Sequence, residues 1–210
     1  MNASSPSSTT IAFFDFDGTL TRSDSLLPFL RSVVGHKKFY SGLIKLTPVL
    51  LAYQTGIIRN DVAKQRVLTY FLRGLSRREL ETLGEKFAHQ CLPGLLSGVG
   101  MNKLSWHQSQ GHRCLLVSAS LDIWLTPWSR IQELEPPLCS ALEYQDDLST
   151  GKLQGYNCYG TEKVRRISQW LETAGKHHTI YAYGDNESDM PMLRQADFGF
   201  ILTHGTFQPI

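Results

Sequence analysis

The stretch IAFFDFDGT, residues 11–19, decides how the rest of the chain is read. It is a short apolar run that ends in two acids, a glycine and a threonine. Such runs suit a strand buried on both faces of a parallel sheet, with polar residues emerging at its carboxyl end. Asp15 and Asp17 are separated by one residue, so on extended backbone both carboxylates project to the same side while Phe16 points into the core. Mg²⁺ commonly takes one or two carboxylates together with substrate phosphate. Gly18 permits a tight turn close to a ligand, and Thr19 offers a hydroxyl and an amide to phosphate oxygens. A calcium-hand loop is excluded by spacing: counted from Asp15, Leu20 stands where glycine is needed and Leu26 where glutamate is needed.

Outward from this run the periodicity changes. From about Asp24 to Cys91 apolar residues recur at helical spacing, as in Leu26, Leu27, Leu30 and Val34, or Val67, Leu68, Phe71 and Leu75. Ser76 followed by Glu79 is a capping-box pattern that opens a further helix. Several helices therefore follow the first strand as an insertion. Within them Leu43 to Ile58 is apolar but interrupted by Lys45, Pro48 and Gln54, shorter and more polar than the ~20 residues of a spanning helix. A buried or interfacial helix is expected, with no stable membrane span.

Strand signals resume at Cys114–Val117, which ends at Ser118, and at Thr179–Tyr183, which ends at Gly184 and Asp185. Phe198–Leu202 reads as a last strand. Between them Glu162–Ala174 carries Val164, Ile167, Ser168 and Leu171 along one helical face. Strands alternating with helices imply an α/β fold, a doubly wound parallel sheet with an inserted helical cap. Ligands sit beyond the carboxyl ends of such strands.

The second acidic loop, GDNESD at 184–189, supplies Asp185 and Asp189. Four carboxylates at one sheet edge repel one another unless a cation sits among them. A phosphoryl site also needs donors and positive charge. Ser118 can donate, with Ser120 as the competing candidate, and Lys163 lies near a helix N-terminus that favours anions. There is no Walker-type lysine loop and no dinucleotide glycine fingerprint. His107 and His112 lack zinc-ligand spacing; His177–His178 reads as a strand lead-in, and Trp124, Trp128 and Trp170 as packing residues.

Bulk properties narrow the setting. The 210 residues are 41% hydrophobic and 19% charged, with a net charge of +2 that gives no reason to expect a nucleic-acid partner. Cys91, Cys114, Cys139 and Cys158 form no CxxC pair and read as free thiols in a reducing cytosol, which makes cytoplasmic the expected location. The polar N-terminus MNASSPSSTT reads as a frayed tail and not as a signal peptide.

DFDGT at 15–19, Ser118 after an apolar strand, Lys163 and then GDNESD at 184–189 form an ordered set that resembles the haloacid dehalogenase superfamily. The helical insertion resembles the C1-type cap of its phosphoserine-phosphatase-like branch, subfamily IB. The resemblance implies a core of residues 1–22 and 93–210 with a cap of residues 23–92. It implies that Asp15 is the nucleophile and forms an aspartyl-phosphate, and that Asp17 protonates the leaving oxygen and then activates water. The Asp15 carboxylate, the Asp17 carbonyl and Asp185 would hold Mg²⁺. Ser118, Lys163, Thr19 and Gly18 would bind the phosphoryl group, with Asp189 in support. The sequence departs from phosphoserine phosphatases in VSASLD, which lacks their glycine pair, and in having only Asp24 near the place of their amine-binding glutamate. VSAS resembles subfamily IB hydrolases that include a phosphatidylglycerophosphate phosphatase. The expected substrate is a small or lipid phosphate ester. A phosphotransferase or mutase on the same scaffold, or a catalytically silent binding protein, remains as an alternative.

Overall fold

The computed structural model describes residues 9–175 and 178–210. Residues 1–8 of the MNASSPSSTT stretch expected to be a frayed tail, and His177, lie outside them; Thr9 and Thr10 of that stretch instead open a strand. The apolar run at the start forms β1 (Thr9–Phe14). Its alternation is used on both faces. Ile11 and Phe13 pack into one buried cluster with Ile167, Met192 and Leu193. Ala12 and Phe14 pack into another with Leu104, Trp124, Trp128 and the inserted helices.

Three helices follow: α1 (Leu26–Gln54), α2 (Asn60–Leu72) and α3 (Arg77–Gln90). The Ser76 hydroxyl caps α3 by accepting from the Glu79 amide at 3.2 Å, half of the capping box expected at this position. α1 is broken at Gly35, whose φ of 78° and ψ of 161° are not helical. Among the described residues no helix is long and apolar enough to cross a membrane.

The chain then runs through α4 (Gly98–Ser109), β2 (Arg113–Leu121), α5 (Asp122–Ile131), β3 (Leu138–Ser140), β4 (Leu142–Gln145) and β5 (Leu148–Leu153). It continues with α6 (Thr161–Ala174), β6 (His178–Gly184), α7 (Met190–Gln195), β7 (Phe198–Thr203) and β8 (Thr206–Pro209). The main sheet has the order β3-β2-β1-β6-β7-β8. Its pairings are parallel except β7 with β8. β1 lies between β2 and β6, and the order reverses there. That reversal opens a crevice at the carboxyl ends of the strands.

Four strands escaped the sequence reading. β8 follows the expected last strand as an antiparallel edge. β3 is only three residues long. β4 and β5 form a hairpin through Asp146 and Asp147, both at positive φ (49° and 63°). The hairpin packs on the inserted helices: the Thr69 hydroxyl donates to the Gly151 carbonyl at 3.0 Å, and Gly74 donates its amide to the Ser149 carbonyl at 2.8 Å. β2 also runs past Ser118 to Leu121, so both candidate serines are strand residues.

Candidate active site

Backbone turns build the first loop. Asp15 donates its amide to the Tyr183 carbonyl at 2.9 Å, which continues the β1–β6 ladder by one residue. The chain then wraps around the Phe16 carbonyl, which accepts the amides of Thr19, Leu20 and Thr21 at 3.3, 2.9 and 3.0 Å. Gly18 is required at the bend. Its φ is +88°, and a Cβ there would lie 2.2 Å from Oδ2 of Asp185.

Asp15 and Asp17 both line one cavity, but their carboxylates take different partners. Asp15 joins Asp185 and Asp189, whose carboxylate oxygens lie within 4.8 Å of one another. Asp17 is held by two serines: Oδ1 accepts the Ser25 amide at 2.8 Å, and Oδ2 accepts the Ser120 hydroxyl. Among the described residues Asp15, Asp185 and Asp189 form the tight cluster, with Asp17 beside it at the same cavity.

Lys163 is buried in the first turn of α6 and donates to Oδ1 of Asp15 and to Oδ1 of Asp189, both at 2.6 Å. The other oxygen of Asp189 accepts the amides of Asp185 and Asn186 at 3.1 and 3.3 Å. Asp189 is therefore fully engaged in fixing Lys163 and the second loop. Thr19 differs from its expected use: its hydroxyl donates to Oδ1 of Asp185 at 3.3 Å and its amide to Phe16. Ser118 accepts the Ser120 amide at 3.2 Å, which leaves its own hydroxyl proton unspent beside the cavity. With Ser120 committed to Asp17, the two serines have distinct partners.

The electrostatics follow from burial. Burial pushes Asp15 up to about 8, opposed by Lys163 and reinforced by the Asp189 charge. Burial also raises Asp185, with Asp189 adding to it. Burial pulls Lys163 down, but Asp15 and Asp189 more than offset it and hold the ammonium protonated. Asp17 rises to about 6, through burial and the nearby Asp24 charge, against the hydrogen bonds from Ser120 and Ser25. Asp15, Asp185 and Asp189 when ionised exceed the single ammonium of Lys163 by two negative charges. A divalent cation matches that excess, and hard oxygen donors suit Mg²⁺. Asp15 and Asp185 have oxygens to spare for it; Asp189 does not.

A cavity of 670 Å³ stands over these groups. Its floor is Asp15, Asp17, Ser118, Lys163 and Asp185, and its walls include Leu26, Leu50, Tyr53, Val67 and Trp124. Among the lining residues missed in the sequence is one cation. Lys64 of α2 reaches across to donate to the Ala119 carbonyl and, at 2.9 Å, to Asn157 Oδ1. Burial lowers Lys64 to about 8, with Asp24 and Asp17 opposing the fall. A cation three and four residues before the buried Val67 and Leu68 lies on the apolar stripe of its helix, and that placement was the available signal.

A family model for haloacid dehalogenase-like hydrolases matches residues 12–194. The chain belongs to that family. It is a phosphatase-like hydrolase with a mixed α/β fold. It is 33% identical over 186 residues to the protein CicA of Caulobacter vibrioides, which covers 88% of this chain and 82% of that one. A probable phosphatase of Mycobacterium tuberculosis is 25% identical over 199 residues, covering 90% and 67%. Among solved structures, a protein of unknown function from Bordetella pertussis Tohama I superposes with a TM-score of 0.78 at 24% identity, covering 90% and 87%. A phosphoserine phosphohydrolase-like protein from Francisella tularensis gives 0.63 at 17%, covering 89% and 83%. At these identities the structural likenesses speak for the fold.

Proposed function

We propose that this hydrolase cleaves phosphate monoesters in two steps with Mg²⁺ held by Asp15, Asp185 and the Asp17 backbone carbonyl. The carrying observation is the buried chain Asp15–Lys163–Asp189 beside Asp185, at 2.6 Å for each ion pair. A cation held by these residues would supply neutralisation of phosphoryl charge. A carboxylate oxygen of Asp15 attacks phosphorus, the ester P–O bond breaks, and an aspartyl-phosphate forms. Asp17, aligned by Ser120 and Ser25, delivers its proton to the departing oxygen. It then takes a proton from the water that hydrolyses the aspartyl-phosphate, releasing phosphate and restoring Asp15. Ser118 and Lys163 donate to the phosphoryl oxygens. Division into two steps lowers the barrier of a reaction that is very slow in water.

Residues 23–92 serve as the cap over this floor, with Lys64 tying α2 to the core. The apolar walls suit a leaving group with an apolar portion, either a small ester or a lipid phosphate. The probable phosphatase among the relatives supports the reaction class. The test is Mg²⁺-dependent phosphate release from a chromogenic ester and a panel of phosphoserine, sugar phosphates and lysophospholipid phosphates. Turnover by the wild type and none by Asp15→Asn is expected; no difference between them across the panel refutes the proposal.

A further inference from the structure

α1 has two faces. Inward, Leu50 and Tyr53 line the cavity, and Phe39, Gly42 and Leu46 are buried. Outward, after the break at Gly35, Tyr40, Ile44 and Leu51 follow one another at i, i+4 and i+11 and fall on one stripe. They are 52%, 74% and 54% exposed, and Ile57 just beyond the helix is 78% exposed. Lys37 lies beside this stripe, and Lys38 and Lys45 lie together on the side of the helix between it and the buried face. With Arg31 they are the charged residues of α1, which contains no Asp or Glu. Among the described residues none of these four cations is in an ion pair.

We infer that the outer face of α1 docks on an anionic lipid surface. The chemistry selects the occupant. A second copy packed across a two-fold axis would bring like lysines together with no α1 carboxylate to answer them. An acidic protein would answer the lysines but leave the central apolar stripe unmatched. An anionic bilayer offers both, a negative headgroup layer above an apolar interior, and a helix lying in that interface needs no spanning length. The stripe from Tyr40 to Leu51 covers roughly 16 Å of helix. The same helix walls the cavity, so a docked surface lies about one helix diameter, ~10 Å, from the site.

Docking does not require turnover, so its failure is distinguishable from failure of the proposed reaction. The experiment is co-sedimentation of the full chain with vesicles of phosphatidylcholine alone or mixed with phosphatidylserine. Binding is expected to the mixed vesicles and to weaken with added salt. Each lysine near such a surface contributes about five-fold, so replacing Lys37, Lys38 and Lys45 with glutamine lowers partitioning on the order of 100-fold. Ile44→Ser with Leu51→Ser lowers it at unchanged charge. Both variants keep wild-type turnover of a soluble ester, which shows that they fold. Equal binding to neutral and anionic vesicles, absence of binding, or a wild-type dimer in sedimentation velocity that Ile44→Ser dissolves would each overturn the inference.

Discussion

Replacing Lys163 with methionine tests the electrostatic centre of the site directly. Its ammonium is buried and lies 2.6 Å from each of two buried carboxylates, Asp15 and Asp189. Methionine keeps much of the length and volume but removes the charge and its donors. Asp15 and Asp189 would then face one another, with oxygens within 4.8 Å and no cation between them. Breaking a buried pair by removing one partner costs about 3–5 kcal/mol, because the remaining charge stays desolvated. For a chain of this size each kcal/mol moves Tm by about 2–4 °C, so a fall of roughly 10 °C is expected. Asp189→Asn added to Lys163→Met removes one stray charge and preserves shape, so the double variant should recover part of the loss. The measurement is urea denaturation of wild type, both single variants and the double variant with a chelator present, so that metal binding does not shift the baselines. A Lys163→Met loss below about 1 kcal/mol, or a cycle additive within about 0.5 kcal/mol, would refute the reasoning.

Two further outcomes follow from the same geometry. Gly18→Ala introduces a Cβ 2.2 Å from Asp185 Oδ2 at a φ of +88°, so Asp185 must move; the Mg²⁺ concentration for half-maximal activity should rise about ten-fold or more with the far-UV spectrum unchanged, and an unaltered Mg²⁺ dependence would count against Asp185 as a ligand. Burial lowers Lys64 from 10.5 to about 8, facing Asp24, Asp17, Cys158 and Cys139. The unfolded chain therefore binds more protons than the folded one between those values, and stability rises with pH across that window by about 3 kcal/mol at most. Subtracting the urea stability of Lys64→Met from that of wild type on either side of the window isolates the effect; a difference that is flat or falls with pH would refute it.

Much of the architecture was legible because it is written in local periodicity. β1, β2, β6 and β7 are continuous apolar runs, and the helices carry stripes or caps such as Ser76 with Glu79. The hairpin β4–β5 was not legible. Its strands are short, and its turn uses Asp146 and Asp147 where an Asn-Gly signal would have marked it. The docking face of α1 was half legible: the apolar stretch showed, but not which of its residues would be left uncovered.

The sequence alone determined which chemistry the chain carries, because DFDGT and GDNESD each end a buried strand and parallel pairing brings strand ends to one edge. The tertiary structure decided how the acids divide. Asp17 takes its own partners, Ser25 and Ser120, which lie 8 and 103 residues away. Lys163, which resembles any surface lysine in one dimension, became the buried cation between Asp15 and Asp189. Lys64 likewise found Ala119 and Asn157 only through the packing of α2 against the rest of the chain. Periodicity records which face a residue occupies, whereas hydrogen-bond partners distant in sequence are set by how the elements pack.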